Sequence, residues 1–213
     1  MKPWPPASVA GFVLAGGRSS RMGRDKALVE LDGRTLVSLA VEKLQSAGLS
    51  AAIAGARSEL AGIAHVIADE TPDQGPLGGI CTALAATAAE LAVFIPVDLP
   101  LLPASLLSYM VRRAQINGAS VTLASLNGFA ETFPAILRTG LLPLLREELE
   151  SGRRGCFSAF AAAAERLDER VNVVPIEMLL QTGQVEDQPA APAYRWFLNV
   201  NTPEDVERAG TFA

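Results

Sequence analysis

The stretch Leu14-Ala-Gly-Gly-Arg-Ser-Ser-Arg-Met-Gly-Arg-Asp-Lys26 constrains this chain more than any other. It follows a short apolar run, Val9–Leu14, that shows no alternation of polar residues. Such a run suits a strand of a parallel sheet, buried on both faces. Gly16 and Gly17 let the backbone take positive φ and let a ligand approach its N–H groups closely. Successive exposed N–H groups form a nest for anions. Arg18, Arg21 and Lys26 add fixed positive charge where phosphates would lie. The spacing is neither GxGxxG nor GxxxxGK[ST], which excludes a dinucleotide fingerprint and a Walker loop. The alternative is a glycine-rich turn carrying solvated arginines.

Downstream, apolar runs alternate with segments of helical spacing. Strands are predicted at Ala51–Ala54, His65–Ala68, Ala92–Val97, Ala119–Ala124, Thr132–Leu137, Val171–Ile176 and Trp196–Val200. Helices are predicted at Thr35–Ala47, with Gly48 as its stop, and at Gly79–Glu90, Ala104–Ile116, Leu141–Glu150 and Cys156–Ala164. Gln181–Ala193 is polar, contains Pro189 and Pro192, and is expected to be a surface loop. Thr202 and Pro203 read as N-cap and first residue of a terminal helix. The alternation implies a three-layer α/β/α architecture around a mainly parallel sheet, as one domain over 1–213 with residues 1–8 as a frayed start. Sheets of this kind bind ligands beyond the carboxyl ends of their strands.

Composition narrows the function classes. The net charge of −5 argues against a nucleic-acid partner, which demands a basic face. Mean hydropathy is +0.26, so a membrane span has to be considered. Glu90, Asp98 and three prolines interrupt the most apolar region, Ile80–Leu107, so no span is expected. The N-terminus lacks the apolar stretch and cleavage site of a signal peptide. Cys81 and Cys156 stand far apart and read as free thiols in a reducing cytoplasm. With His65 as the single histidine, a zinc site is not expected.

The second chemical signal is Pro96-Val-Asp-Leu-Pro-Leu-Leu-Pro103. Asp98 comes just past an apolar strand, where a carboxylate has no packing role; ligation of Mg²⁺ would explain it, and a cap for the following helix is the alternative. Asp69 ends another strand and admits a nucleotide or metal role, or a turn before Thr71-Pro72. Gln74-Gly-Pro-Leu-Gly-Gly79 is a turn whose N–H groups face a base or ribose, or merely connect strand to helix. Asn199 and Asn201 lie at a strand end beside a helix N-terminus that favours anions. Ser151-Gly-Arg-Arg-Gly155 offers cations, Arg153 among them, for an anionic acceptor, or is a solvated link. Phe157, Phe160, His65 and Met22 read as structural.

Four of these segments together, LAGGRSSRMGRDKAL at 14–28, GPLGGI at 75–80, PVDLPLLP at 96–103 and FLNVNTPED at 197–205, resemble the molybdenum cofactor guanylyltransferases. Relatives that use CTP tend towards LAAG and a proline before the lysine, whereas here Gly16-Gly17 and Asp25 precede Lys26. The resemblance implies a Rossmann-like nucleotide-diphospho-sugar transferase fold and a Mg²⁺-dependent transfer of GMP from GTP to the phosphate of molybdopterin. It implies that Leu14, Ala15, Gly16 and Gly17 contact GTP and that Lys26 holds its phosphates. Asp69 matches a GTP-contacting aspartate and Asp98 the Mg²⁺ ligand. Lys26 and Arg21 would steady charge on the departing pyrophosphate, and Arg153, Asn199 and Asn201 would face the acceptor. Ala54 stands nearest to a position where the family often has asparagine, and Phe133 stands before Pro134 where it often has His or Gln. Enzymes of molybdoenzyme maturation are implied as partners. The rival expectations are a CTP-dependent or sugar-phosphate transferase, and a binding-only regulatory or chaperone module.

Overall fold

A computed structural model describes residues 8–16, 25–55, 57–69, 74–186 and 192–210. The strands are β1 (Val9–Leu14), β2 (Glu30–Leu31), β3 (Arg34–Thr35), β4 (Ser50–Ala54), β5 (His65–Ile67), β6 (Leu91–Pro96), β7 (Val121–Leu126), β8 (Phe129–Arg138) and β9 (Asn172–Pro175). The helices are α1 (Leu36–Ser46), α2 (Gly75–Ala85), α3 (Ala104–Asn117), α4 (Leu142–Glu150), α5 (Cys156–Glu165), α6 (Ile176–Gln181) and α7 (Pro203–Gly210). Seven strands form one sheet in the order β5-β4-β1-β6-β8-β7-β9. Only the pairings of β8, with β6 and with β7, are antiparallel, so the sheet is mainly parallel as its apolar runs predict.

Both faces of the sheet are covered. Phe12 faces one core, with Leu77 of α2, Phe94 of β6 and Phe160 of α5. Its neighbour Val13 faces the other, with Leu36 of α1, Leu106 of α3 and Trp196. This is the period-2 alternation of a strand buried on both sides. Phe12 lies beside Phe94 in the ladder and their rings stack 5.3 Å apart, a contact worth roughly 0.5–1.5 kcal/mol beyond burial. Helix α1 starts where Thr35 Oγ1 accepts the Ser38 N–H and stops at Gly48, whose φ of 79° is the left-handed conformation that glycine takes without strain.

The topology fixes where a ligand goes. From β1 the chain moves outward to β4 and β5, then returns to add β6 on the other side of β1. The connections therefore diverge between β1 and β6, opening a crevice at their carboxyl ends. Leu14 ends β1 and Pro96 ends β6, directly paired in register.

Two sequence expectations are corrected. Trp196–Val200 is not a strand: a short turn at Ala193–Arg195 drives Trp196 into the core, where it is 1% exposed, and its apolar character serves burial rather than a ladder. Helix α2 begins at Gly75 and ends at Ala85, not Gly79–Glu90. Proline is compatible with a first helical turn, so Pro76 does not break it. Gly78 is required for packing, since a Cβ there would lie 2.4 Å from Gln74 Cβ.

Gly11 matters in the same way. A Cβ on it would lie 2.6 Å from the Ser50 carbonyl oxygen and 3.0 Å from Leu44 of α1. Backbone cannot rotate away as a side chain can, so β1 and β4 would have to separate. Gly11→Ala should destabilise the fold by about 1–3 kcal/mol, the usual scale of overpacking. Thermal unfolding checks this; an unchanged melting temperature would show that the β1–β4 pair is not constrained here.

Candidate active site

The crevice holds a cavity of about 560 Å³. Leu14 at the end of β1 and Gly16 beyond it, Ala54 at the end of β4 and Asp69 after β5 form one wall, with Gly75, Pro76 and Gly79 of α2. Asp98 after β6 stands at the centre with Lys26, Asn199 and Asn201. Glu131, Thr132 and Phe133 of β8 form the opposite wall. The strand-end residues and asparagines singled out from the sequence thus converge on one cavity. Gly17 and Arg21 lie outside the described residues, as do Arg18 and Met22. Ala15 is buried behind the Gly16 end of the loop.

Lys26 ties this site together. Asp25 Oδ1 accepts the Ala27 N–H at 3.0 Å and so starts a single 3₁₀ turn, Lys26–Leu28. From that turn the Lys26 ammonium donates to Asp98 Oδ2 at 2.8 Å and to Asn201 Oδ1 at 2.6 Å. Asn201 is fixed in turn by its backbone. The Val200 N–H donates to the Asp98 carbonyl at 3.0 Å, and the Asn201 and Thr202 N–H groups donate to Asp205 Oδ2, each at 3.0 Å. The Asn201 N–H above all holds the Asp205 carboxyl below its ordinary range. Thr202 Oγ1 accepts the Asp205 N–H at 3.2 Å, the expected cap of α7.

Asp98 does not cap α3. That helix starts at Ala104, with Pro103 at the N-cap position and no side-chain cap. One carboxylate oxygen takes the Lys26 bond, while Oδ1 is buried without a hydrogen-bond partner. An orphaned buried oxygen costs about 1–3 kcal/mol, so its persistence points to a ligand. A hard divalent cation fits it. Mg²⁺ is held by one or two carboxylates with substrate phosphates rather than by an all-protein cage. Among the described residues no group of three or more His, Cys, Asp or Glu side chains forms such a cage.

Asp69 lies against α2: a Cβ on Gly79 would sit 3.6 Å from Asp69 Oδ1, so this glycine lets the helix approach the carboxylate. Arg153 is not among the residues lining this cavity; it is exposed and ion-paired with Glu148. A second cavity of about 430 Å³ adjoins Gln74, at the start of α2, and is lined by Arg146 and Arg154. Cys81 and Cys156 are buried thiols rather than a disulfide, and burial pushes Cys156 up to about 12, which keeps it un-ionised.

Sequence reasoning missed Arg57. Its guanidinium donates to the Ala15 carbonyl at 3.0 Å, to Glu59 at 2.7 Å, and to the Asp25 carboxylate. It therefore grips both ends of the glycine-rich loop. No local pattern signals this, because Ala15 lies 42 residues away in the chain. Glu131 was missed for a similar reason, since a bulge of β8 carries it into the cavity.

A parallel-sheet crevice edged by a glycine-rich loop, with one lysine bridging to a carboxylate that keeps a bare oxygen, defines a nucleotide-binding α/β protein. Residues 11–173 match the MobA-like NTP transferase domain, and the chain belongs to that family of nucleotidyltransferases. A molybdenum cofactor guanylyltransferase of Shewanella halifaxensis is 32% identical over 209 residues, 96% of this chain and 94% of that protein. One of Xanthomonas euvesicatoria is 46% identical over 116 residues, spanning 54% of this chain and 57% of that protein. The nucleotide-diphospho-sugar transferase fold is shared with molybdopterin-guanine dinucleotide biosynthesis protein A of Archaeoglobus fulgidus. That structure has a TM-score of 0.74 and 22% identity, and the match covers 94% of this chain and 96% of that one.

The Arg57 clamp makes a prediction. Arg57→Leu should weaken nucleoside triphosphate binding by about tenfold or more, since hydrogen bonds to charged groups are worth about 1.5–3 kcal/mol and 1.4 kcal/mol is tenfold. Arg57→Lys, which cannot span both loop ends, should recover only part of this. Calorimetric titration reads the effect; wild-type affinity in Arg57→Leu would show that the loop orders without the clamp.

Proposed function

We propose that this chain transfers GMP from GTP to the terminal phosphate of molybdopterin, yielding the guanine dinucleotide form of the cofactor and pyrophosphate. The observation that carries the reading is the Lys26–Asp98 pair, with its bare Asp98 Oδ1, in the crevice of a chain matched almost end to end by relatives of that name. The glycine-rich loop and the GPLGGI segment of α2 favour the guanine nucleotide over CTP on the resemblance described above.

An acceptor phosphate oxygen attacks the α-phosphorus of GTP. The bond from the α-phosphorus to the bridging oxygen breaks, and the electron pair leaves with pyrophosphate. The nucleophile is already anionic, so no general base is needed. What remains for the protein is alignment and neutralisation of charge. N–H groups of the Leu14–Gly17 loop cradle phosphates, and Lys26 turns its charge from Asp98 towards them. Arg21 belongs to the same loop and would share that role. Asp98 would hold Mg²⁺, which when bound neutralises phosphate charge. Asp69 would meet the nucleoside, and Asn199 and Asn201 the acceptor phosphate. Arg153 remains an acceptor candidate only if the α4–α5 link moves towards the cavity. The whole chain acts as one catalytic unit. No helix among the described residues is long and apolar enough to cross a membrane. The proposal includes a cytoplasmic location and delivery of the product to molybdoenzyme maturation proteins.

Two outcomes are expected. GTP with Mg²⁺ should raise the melting temperature more than CTP or ATP does, because a ligand stabilises in proportion to occupancy of the native state. A larger shift with CTP would assign the chain to cytidylyl transfer. Asp98→Asn, nearly isosteric, should fold normally and lose about 10²-fold or more in turnover, the scale of one preorganised electrostatic element. Wild-type turnover at ordinary Mg²⁺ would remove Asp98 from the metal role.

A further inference from the structure

The register of β7 and β8 breaks at Leu123 and Ala124. Leu123 pairs with Ala135 and Ala124 with Glu131, so Thr132, Phe133 and Pro134 have no counterpart on β7. An unpaired insertion of this kind bends a strand and re-aims its side chains. Here it carries Glu131 and Phe133 into the cavity wall, both half-buried. Direction matters as well. Strand β8 runs antiparallel to β6, with Phe94 opposite Ala135, so its early residues reach the same crevice as the ends of the parallel strands. It also lies on the side of β6 away from β1, β4 and β5. Glu131 therefore faces Leu14, Ala54 and Asp69 across the central Asp98.

The chemistry of Glu131 is odd for a site that must admit a triphosphate. The walls already carry Asp69 and Asp98. Burial lifts the Glu131 carboxyl above its ordinary range, and among the described residues no cation or hydrogen bond opposes that lift. A carboxylate in this position repels phosphate and gains most from a neutral ligand that offers N–H donors. Phe133 beside it offers an apolar ring to a flat heterocycle. A pterin has both features: a planar ring system and an edge with adjacent ring N–H and amino groups, which a carboxylate accepts as a pair.

We propose that Glu131 and Phe133 form the subsite that reads the acceptor's heterocycle, with Glu131 accepting from its N–H and amino edge. The inference rests on molybdopterin being the acceptor. Guanine presents a similar edge, so the experiment has to separate the two rings. Wild type, Glu131→Gln and Phe133→Ala are each assayed for product with GTP and with CTP, for apparent KM towards molybdopterin, and for GTP affinity by calorimetry. Molybdopterin binding is also followed directly by pterin fluorescence. Glu131→Gln keeps the size but places a donor against donors. It should raise the acceptor KM and dissociation constant at least tenfold, with GTP affinity within about twofold of wild type. Phe133→Ala should move the same two quantities. Unchanged acceptor binding in Glu131→Gln overturns the proposal, and so does a loss confined to GTP, which would make Glu131 a reader of guanine. A wild type that uses CTP overturns the guanylyl reading while the acceptor measurements still decide this one. A wild type that neither binds nor turns over molybdopterin overturns both.

Discussion

The bond from Lys26 to Asp98 closes the site, and most of the local structure serves to make it. It joins segments 72 residues apart, and the second bond of Lys26, to Asn201, reaches 175 residues along the chain. Both partners of the ion pair are largely shielded, at 15% and 22% side-chain exposure. Pairs of this kind contribute little net stability, because desolvation offsets attraction, although losing one partner leaves the other stranded. Here the pair fixes the Lys26 and Asp98 side chains against each other in the cavity. Asp25 starts the turn that aims Lys26, Arg57 holds Asp25 and the Ala15 carbonyl, and Asp205 fixes the backbone of Asn201. Each is a short polar contact whose loss would be felt at Lys26.

The sheet explains why these groups meet. Parallel strands deliver their ends to one edge, so β1, β4, β5 and β6 contribute the loop, Ala54, Asp69 and Asp98. An antiparallel strand delivers its beginning to that edge, and β8 contributes Glu131 to Phe133. The mixed sheet thus supplies two walls of different origin. One comes from the β1–β5 half, where loops follow strands into helices; the other comes from an interruption within a strand.

That difference sets what could be read from the sequence. That Gly16, Asp69 and Asp98 lie at one edge of the sheet was legible because each follows a run whose apolar character announces a strand, and a polar group at a strand end has no packing reason to be there; Asn201 lines the same cavity although the run before it, Trp196–Val200, is not a strand. Arg57 was not, since its meaning comes from a carbonyl that only the β1–β4 pairing brings near. Glu131 was not, because a register break is a property of two strands and neither alone encodes it. Trp196–Val200 misled because a buried tryptophan and a strand leave the same apolar trace. Gly75–Gly79 misled because glycine serves both turns and close packing, and close contact with Gln74 decided for packing at Gly78.

The charge on the walls is unbalanced. Among the described residues lining the cavity, Lys26 is the single cation, against the carboxylates of Asp69, Asp98 and Glu131. Left to these groups alone, the cavity would repel a triphosphate. On the proposed reading the imbalance is removed piecewise: Mg²⁺ meets Asp98, the arginines of the glycine-rich loop meet phosphate, and Glu131 is turned to a neutral ring. On the same reading Asp98 would hold the metal, and Lys26, which donates to Asp98 Oδ2, would then have its charge available to the nucleotide. Metal and nucleotide would then strengthen each other's binding by one shared free energy, as linkage requires. Glu131 would stand outside that exchange, because the partner proposed for it is not an anion. The fold thus places the Lys26–Asp98 pair where β1 and β6 diverge and Glu131 at the register break of β8, and the proposal assigns charge handling to the first place and the acceptor ring to the second.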